Sequence, residues 1–192
     1  MIKAILFDFA GVIGADGYWI WLKEKVLDLE DKKSYFQSLS EKIDRGDITN
    51  KEFIEAVAKE SKSSLKIVWP EIFKKIIINA ELLNLISQLK KKYRVGLLTN
   101  YNYIWMKELL KFYKLDKYFD VKVISSFYKM IKPNKEIYLK TLELLKVKPE
   151  EAIFIDDRLH NVDGGENAGI KSFLYTTNQK LKEDLKSCRI II

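Results

Sequence analysis

In residues 3–14, KAILFDFAGVIG, a short apolar run leads directly into an acid and a glycine-rich turn. Ile5, Leu6 and Phe7 form a continuous apolar run, which is typical of a strand covered on both faces. Asp8 follows at the point where such a strand leaves the core. The stretch therefore predicts a strand that presents a carboxylate at its carboxyl end.

Four further apolar runs have the same character, and helical patterns separate them. The predicted strands are 3–8, 94–99, 121–125, 152–156 and 171–175. The predicted helices between them are 80–92, 102–113, 134–146 and 160–168. Alternation of buried strands with helices favours a parallel sheet with helices on both faces. We therefore predict an α/β fold with a Rossmann-like parallel sheet.

The interval between the first two strands is too long for a single crossover helix. Residues 15–79 contain helical patterns, one of which begins with a capping box at Thr49, and no convincing strand. We therefore predict a small helical cap subdomain of residues 15–79, inserted into a Rossmann-like core domain of residues 1–14 and 80–192. Pro70 is expected to start or interrupt a helix of this cap.

Composition limits the class of protein. The length of 192 residues fits one domain with an insertion, and a hydrophobic fraction of 47% is typical of a globular chain. No apolar run reaches the roughly 18 residues of a membrane span. Cys188 is the only cysteine, which excludes an internal disulfide and favours a reducing compartment. We therefore expect a cytoplasmic protein without a membrane partner.

The net charge of +7 raises the question of a nucleic-acid partner. Lysine greatly outnumbers arginine, whereas planar recognition of phosphate groups favours arginine. Solvated helix faces account for the lysine clusters within 90–92 and 111–117. We therefore predict no nucleic-acid partner, and the oligomeric state stays open.

Reactive polar side chains follow three of the predicted strands, and a lysine lies in the loop that follows another strand. The residues are Asp8, Thr99, Asn100, Lys132, Asp156 and Asp157. Open α/β sheets bind their ligands outside the carboxyl ends of the strands. We therefore expect these acids, the hydroxyl and the ammonium group to meet at one edge of the sheet.

Four stretches stand in the order and spacing of the motifs of the haloacid dehalogenase-like hydrolase superfamily, which the chain resembles over nearly its whole length. They are ILFDFAGVIG (5–14), GLLTN (96–100), KP (132–133) and IFIDDRLHNVDGGENAGI (153–170). RGDIT followed by KEF is similar to the helical cap of the branch that contains sugar-phosphate phosphatases and the phosphatase domain of epoxide hydrolase. The resemblance implies a phosphatase.

In such an enzyme Asp8 attacks a small phosphorylated metabolite and forms an aspartyl-phosphate, which water then hydrolyses. Cations and hydrogen-bond donors must surround the phosphoryl group because its oxygens are negatively charged. The implied phosphate-binding residues are Phe9, Ala10, Thr99, Asn100 and Lys132, and Asp8, Thr99 and Lys132 are the implied catalytic residues. The implied Mg²⁺ ligands are the carboxylates of Asp8 and Asp157, the carbonyl of Ala10 and, directly or through a neighbouring group, Asp156.

Ala10 departs from the family pattern, because the family has a second carboxylate at this position. That acid protonates the leaving oxygen and then activates the hydrolytic water, and positioned acid–base catalysis contributes roughly 10²–10⁴-fold. We therefore expect a slow phosphatase, or one with a substitute acid.

Two alternatives remain open. One is a non-catalytic, phosphate- or metabolite-binding or regulatory member of the superfamily. The other is a 2-haloacid dehalogenase, because a halide leaves without a proton. Dehalogenases of the superfamily resemble one another in a halide-binding arginine of the cap, and here the cap contains only Arg45. Tyr18, Trp19 and Trp21 either contact the substrate or pack at the domain junction, and packing is the favoured interpretation.

Overall fold

A computed structural model describes residues 1–191. Within these residues five strands form one parallel sheet in the order β3-β2-β1-β4-β5. The strands are β1 (Ala4–Phe7), β2 (Arg94–Thr99), β3 (Val121–Ile124), β4 (Ala152–Asp156) and β5 (Lys171–Leu174). The predicted parallel α/β sheet is confirmed, and each strand end lies within one residue of its predicted position.

The described residues also form ten α-helices. The first four in chain order are α1 (Gly17–Lys25), α2 (Lys33–Arg45), α3 (Asn50–Ser61) and α4 (Leu65–Lys75). The others are α5 (Ala80–Leu89), α6 (Tyr103–Phe112), α7 (Ser125–Tyr128), α8 (Lys135–Leu145), α9 (Leu159–Asn167) and α10 (Asn178–Ser187). Among the described residues, none of these helices combines the length and apolar character needed to cross a membrane.

Apolar side chains cover both faces of the sheet because successive residues of a strand point to opposite sides. Ile5 and Phe7 of β1 belong to a buried cluster that includes residues of α5, α6 and α10. Ala4 and Leu6 belong to a second cluster, formed chiefly with α8. Burial on both faces fixes the strands, so the polar residues at their carboxyl ends are held in place.

The four helices between β1 and α5, here called the helical segment (residues 15–79), have an apolar core of their own. Trp21 and Phe36 are fully buried in it. Trp105 of α6 extends this core toward the sheet and stacks on Trp69, with ring centroids 4.5 Å apart. The aromatic stack therefore joins the helical segment to the rest of the protein.

Two local predictions for the helical segment have opposite outcomes. The capping box at Thr49 is confirmed: its hydroxyl accepts from the N–H of Glu52, and the Glu52 carboxylate accepts from the N–H of Thr49. The expectation that Pro70 starts or interrupts a helix is wrong, because α4 continues through it. Val68 and Ile72 are buried on either side of Pro70, and this packing holds both turns of the helix.

Polar contacts hold the helical segment over the carboxyl edge of the sheet. The Ser125 hydroxyl donates to the carbonyl of Asp44 at 2.5 Å, which fixes the end of α2. The amides of Asn50 and Asn102 exchange two hydrogen bonds, of 3.2 and 2.9 Å. These contacts place the end of α2 and the start of α3 beside the predicted site.

Candidate active site

The ammonium group of Lys132 lies at the centre of the polar cluster. Its Nζ atom is 2.9 Å from Oδ1 of Asp8 and 2.6 Å from Oδ2 of Asp156, and it donates to the carbonyl of Leu98 at 3.1 Å. The Lys132 side chain is fully buried. The ends of β1 and β4 and the loop between α7 and α8 therefore meet at one buried cation.

Asn100 holds the backbone of Lys132. Its amide oxygen accepts from the N–H of Lys132 at 2.9 Å, and its amide nitrogen donates to the Lys132 carbonyl at 3.0 Å. Both ends of the amide are thus occupied, and the side chain positions the lysine. The expected contact of Asn100 with phosphate stays a prediction.

Asp156 is fully buried and surrounded by donors besides Lys132. The amide of Asn161 donates to both carboxylate oxygens, at 3.0 and 3.1 Å, and the N–H of Arg158 donates to Oδ1 at 2.9 Å. The Asp156 carboxylate therefore accepts hydrogen bonds at both oxygens, and these bonds hold the Lys132 side chain and the start of α9 in place.

Three carboxylates lie close enough together to share one cation. Oxygens of Asp8, Asp156 and Asp157 all lie within 4.8 Å of one another. Burial raises the pKa of Asp8, and the charge of Lys132 opposes this shift. Burial and the neighbouring Asp156 also raise the pKa of Asp157.

The cluster has the composition of a divalent-cation site. Oδ1 of Asp157 is buried and has no hydrogen-bond partner among the described residues. The Lys132 ammonium group forms ion pairs with Asp8 and Asp156, whereas no ion pair to Asp157 is found within residues 1–191. Buried charges are costly unless they are compensated. Oxygen donors with excess negative charge are what Mg²⁺ prefers. The residues present therefore fit this metal.

The loop after β1 folds back on itself, and within the described residues the N–H groups of Phe9 and Ala10 have no backbone partner. The Phe9 carbonyl accepts from the N–H groups of Val12, Ile13 and Gly14, at 3.3, 2.9 and 2.9 Å. The Phe9 side chain is fully buried and packs edge-on against Tyr101. Only the backbone of Phe9 can therefore contact a phosphate at Asp8.

Gly11 is required where this loop passes Asp157. Its φ is +82°, and an added Cβ would lie 2.1 Å from Oδ2 of Asp157. We expect Gly11→Ala to lose about 1–2 kcal/mol of unfolding free energy from backbone strain, and more from the overlap. The displaced carboxylate should also abolish the rise in melting temperature that Mg²⁺ produces.

Gly169→Ala is the matched control. Gly169 has a similar φ of +85°, but among the described residues its added Cβ would meet only Pro149, at 3.2 Å and beyond. It should lose stability from strain and keep the full response to Mg²⁺. An equal response to Mg²⁺ in both variants would contradict the assignment of Gly11 to the Asp157 contact.

A cavity of about 560 Å³ opens between the sheet edge and the helical segment. Four of the residues predicted from the sequence line it, namely Asp8, Ala10, Asn100 and Lys132. Thr99 is fully buried at the end of β2, and its hydroxyl has no partner within residues 1–191. Tyr18 and Trp19 line the cavity, whereas Trp21 is fully buried and donates to Glu71 at 2.8 Å.

The cavity wall also contains charged residues that were not predicted as site residues from the sequence, among them Arg158, Asp16 and Asp44. Arg158 follows the acidic pair and forms an ion pair with Asp16, whose Oδ2 lies 3.2 Å from Nη2. Asp16 also caps α1 by accepting from the N–H of Trp19 at 3.4 Å. Asp44 comes from the last turn of α2. The local sequence around Asp44 does not predict a place in the cavity wall, because the packing of α2 puts Asp44 there.

The family comparison covers most of the chain. Residues 2–169 match the model of the haloacid dehalogenase-like hydrolases. The chain belongs to the haloacid dehalogenase-like hydrolase family. The resemblance inferred from the four motifs is thereby confirmed.

Curated relatives match the chain over part of its length. Pyrophosphatase PpaX of Bacillus cereus is 42% identical over 88 residues, which are 45% of this chain and 41% of the relative. The chain thus covers less than half of the length of the curated relatives it matches.

Solved structures of the family match the whole fold. An enzyme of the haloacid dehalogenase family from Bacteroides thetaiotaomicron, in complex with magnesium and inorganic phosphate, is 27% identical with a TM-score of 0.76. That match covers 93% of this chain and 96% of that chain. L-2-haloacid dehalogenase from Xanthobacter autotrophicus is 16% identical with a TM-score of 0.71, over 100% of this chain and 85% of that chain. At this identity the second likeness shows the fold alone.

Proposed function

We propose that the protein is a magnesium-dependent phosphatase that transfers the phosphoryl group of a small phosphorylated metabolite to Asp8. The observation that carries the proposal is the buried Lys132 ammonium group, 2.9 Å from Asp8 at the wall of a cavity. The lysine favours the ionised, nucleophilic form of the carboxylate and offers positive charge to the phosphoryl oxygens. The relatives that are pyrophosphatases, and the related structure with magnesium and phosphate, support the same chemistry.

Phosphate binding is assigned to groups that lack other partners. The N–H groups of Phe9 and Ala10 and the buried hydroxyl of Thr99 are donors without partners among the residues described. A buried polar group without a hydrogen bond is costly, and phosphate oxygens would supply that bond. Lys132 completes this set of donors.

Magnesium is assigned to the carboxylates of Asp8 and Asp157 and the carbonyl of Ala10. Asp156 supports the site mainly by holding Lys132, because four donated hydrogen bonds already occupy its oxygens. When bound, the ion offsets the negative charge that gathers on the phosphoryl oxygens.

The division of the chain into a core and a cap belongs to this proposal. Residues 1–14 and 80–192, of which 192 lies outside the described residues, form the core domain that carries the reacting groups, and residues 15–79 form the cap. The cap supplies aromatic rings and acids to the cavity wall, so it selects the part of the substrate beyond the phosphate. A cavity of about 560 Å³ fits a small metabolite.

The first test is phosphate release by the purified protein from p-nitrophenyl phosphate, acetyl phosphate and pyrophosphate. We expect release with Mg²⁺, its loss in excess EDTA and its return when Mg²⁺ is restored. Release that EDTA leaves unchanged would contradict the metal site. Tight binding of phosphate without any release would instead support a non-catalytic, phosphate-binding member of the family.

A 2-haloacid dehalogenase remains the second candidate because Arg45 lines the cavity, where a halide could bind. Ala10 would be harmless in that reaction, since a halide leaves without a proton. Release of chloride from 2-chloropropionate in EDTA, with no release of phosphate, would favour this function.

A further inference from the structure

Ala10 has no carboxylate, so a general acid for the proposed reaction has to come from another residue of the cavity. Besides Asp8, the acids that line it are Asp16, Glu41 and Asp44. The Asp16 carboxylate already forms an ion pair with Arg158 and caps the N-terminus of α1. Glu41 is exposed on α2. Asp44 is half-buried, and within residues 1–191 its carboxylate has one weak hydrogen bond, from the hydroxyl of Ser40 at 3.5 Å.

The core holds the backbone of Asp44 in a fixed place. Ser125, at the start of α7, donates to its carbonyl at 2.5 Å. Lys129 donates to the carbonyl of Gly46, and a Cβ on Gly46 would come within 2.5 Å of the Lys129 ammonium group. The end of α2 is therefore seated on the core, and Asp44 faces the cavity that Asp8 and Lys132 line from the opposite domain.

The surroundings of Asp44 favour its protonated form. Burial raises the pKa of Asp44 to about 8, Asp16 and Asp8 add to the rise, and Arg158 and Lys132 oppose it. The titratable groups that face it are Asp8, Asp16, Tyr18, Tyr101, Lys132 and Arg158. A carboxyl group with such a pKa can donate a proton near neutral pH and take one up again.

We propose that Asp44 is the general acid and base of the phosphatase reaction and replaces, from the helical segment, the carboxylate that the family has at position 10. The proposal rests on the proposed function. An oxygen of Asp8 bonds to phosphorus while the bond from phosphorus to the leaving oxygen breaks, and that oxygen takes the proton of Asp44. Water then attacks phosphorus and gives a proton to the Asp44 carboxylate. The bond between Asp8 and phosphorus breaks, inorganic phosphate leaves, and both side chains return to their starting state.

The test compares two substrates of nearly equal shape whose leaving groups differ in their need for a proton. Phenol has a pKa of about 10, like the tyrosine side chain, whereas p-nitrophenolate is a stable anion near neutral pH. We expect Asp44→Asn to lower kcat/KM for phenyl phosphate by roughly 100-fold. It should lower kcat/KM for p-nitrophenyl phosphate by less than about tenfold, because that leaving group needs little help. Asp47→Asn is the matched control, since Asp47 is an exposed acid just beyond the same helix.

Two further measurements keep the test decisive if Asp44→Asn loses stability. In the wild type, kcat/KM for phenyl phosphate should fall as pH rises above about 8, where Asp44 loses its proton, and kcat/KM for p-nitrophenyl phosphate should not. In the double variant Ala10→Asp with Asp44→Asn, the activity toward phenyl phosphate should recover at least about tenfold, because an acid is restored.

The outcomes separate this proposal from the proposed function. Equal losses for both aryl phosphates in Asp44→Asn, with Asp8-dependent release in the wild type, would overturn the role of Asp44 and leave the phosphatase in place. Absence of Asp8-dependent release in the wild type would overturn both. A large loss of kcat/KM for phenyl phosphate alone in Asp44→Asn, with rescue by Ala10→Asp, would establish Asp44 as the general acid.

Discussion

Asp8→Asn is expected to reduce Mg²⁺-dependent phosphate release by roughly 10⁴–10⁶-fold, or to the assay background, as removal of a nucleophile does elsewhere. The amide keeps the shape of the carboxylate but is too weak a nucleophile to attack phosphorus. Lys132 also loses one of its two carboxylate partners, which removes charge from the metal site. Initial rates with p-nitrophenyl phosphate, together with intact mass after an acid quench, measure the effect.

The control for this substitution is Asp163→Asn. Asp163 is exposed on α9, so the variant makes the same change of charge without touching the site. It should keep the wild-type rate. The quenched wild type should carry one phosphoryl group that Asp8→Asn lacks. More than a tenth of the wild-type rate in Asp8→Asn would show that another group attacks the substrate.

Lys132→Met is expected to lower the free energy of unfolding by about 3–5 kcal/mol, because removal of one partner leaves buried carboxylates uncompensated. The lysine side chain is fully buried between Asp8 and Asp156, and solvent does not screen either ion pair. Methionine fills a similar volume, so the loss reports charge rather than a cavity. Urea unfolding in EDTA measures the change without a contribution from metal.

Two comparisons make the result specific. Lys135→Met replaces an exposed lysine three positions along the chain and should change stability by less than about 0.5 kcal/mol. Adding Asp156→Asn to Lys132→Met should recover part of the loss, since one unpaired buried charge is removed. Equal stabilities of Lys132→Met and Lys135→Met would mean that the three charges contribute nothing net to folding.

Much of the fold was predictable because its local patterns agree with its global arrangement. The apolar run before Asp8 and the runs that became β2 and β4 are short, continuous and bounded by polar residues, which is the pattern of strands buried on both faces. The capping box at Thr49 was readable for the same reason, since its two hydrogen bonds join residues three apart. Pro70 shows the limit, because the packing of α4 overrides a local preference.

The candidate site was predictable in part. The rule that ligands bind at the carboxyl ends of parallel strands predicts that Asp8, Lys132 and Asp156 lie at one edge of the sheet. The distances of 2.9 and 2.6 Å agree with that placement. The rule does not specify that Asn100 uses its side chain to hold Lys132, because such contacts depend on the loop conformation.

The strands, the family and the residues at the sheet edge could be predicted from the amino-acid sequence, because they follow from apolar periodicity and from motifs that are local in the chain. Which residues share the cavity with Asp8 depends on the tertiary structure. Asp44 is 36 positions away from Asp8 along the chain, and it reaches the cavity because Ser125 and the core hold the end of α2. Contacts between segments so distant in sequence arise from packing, which no local pattern encodes.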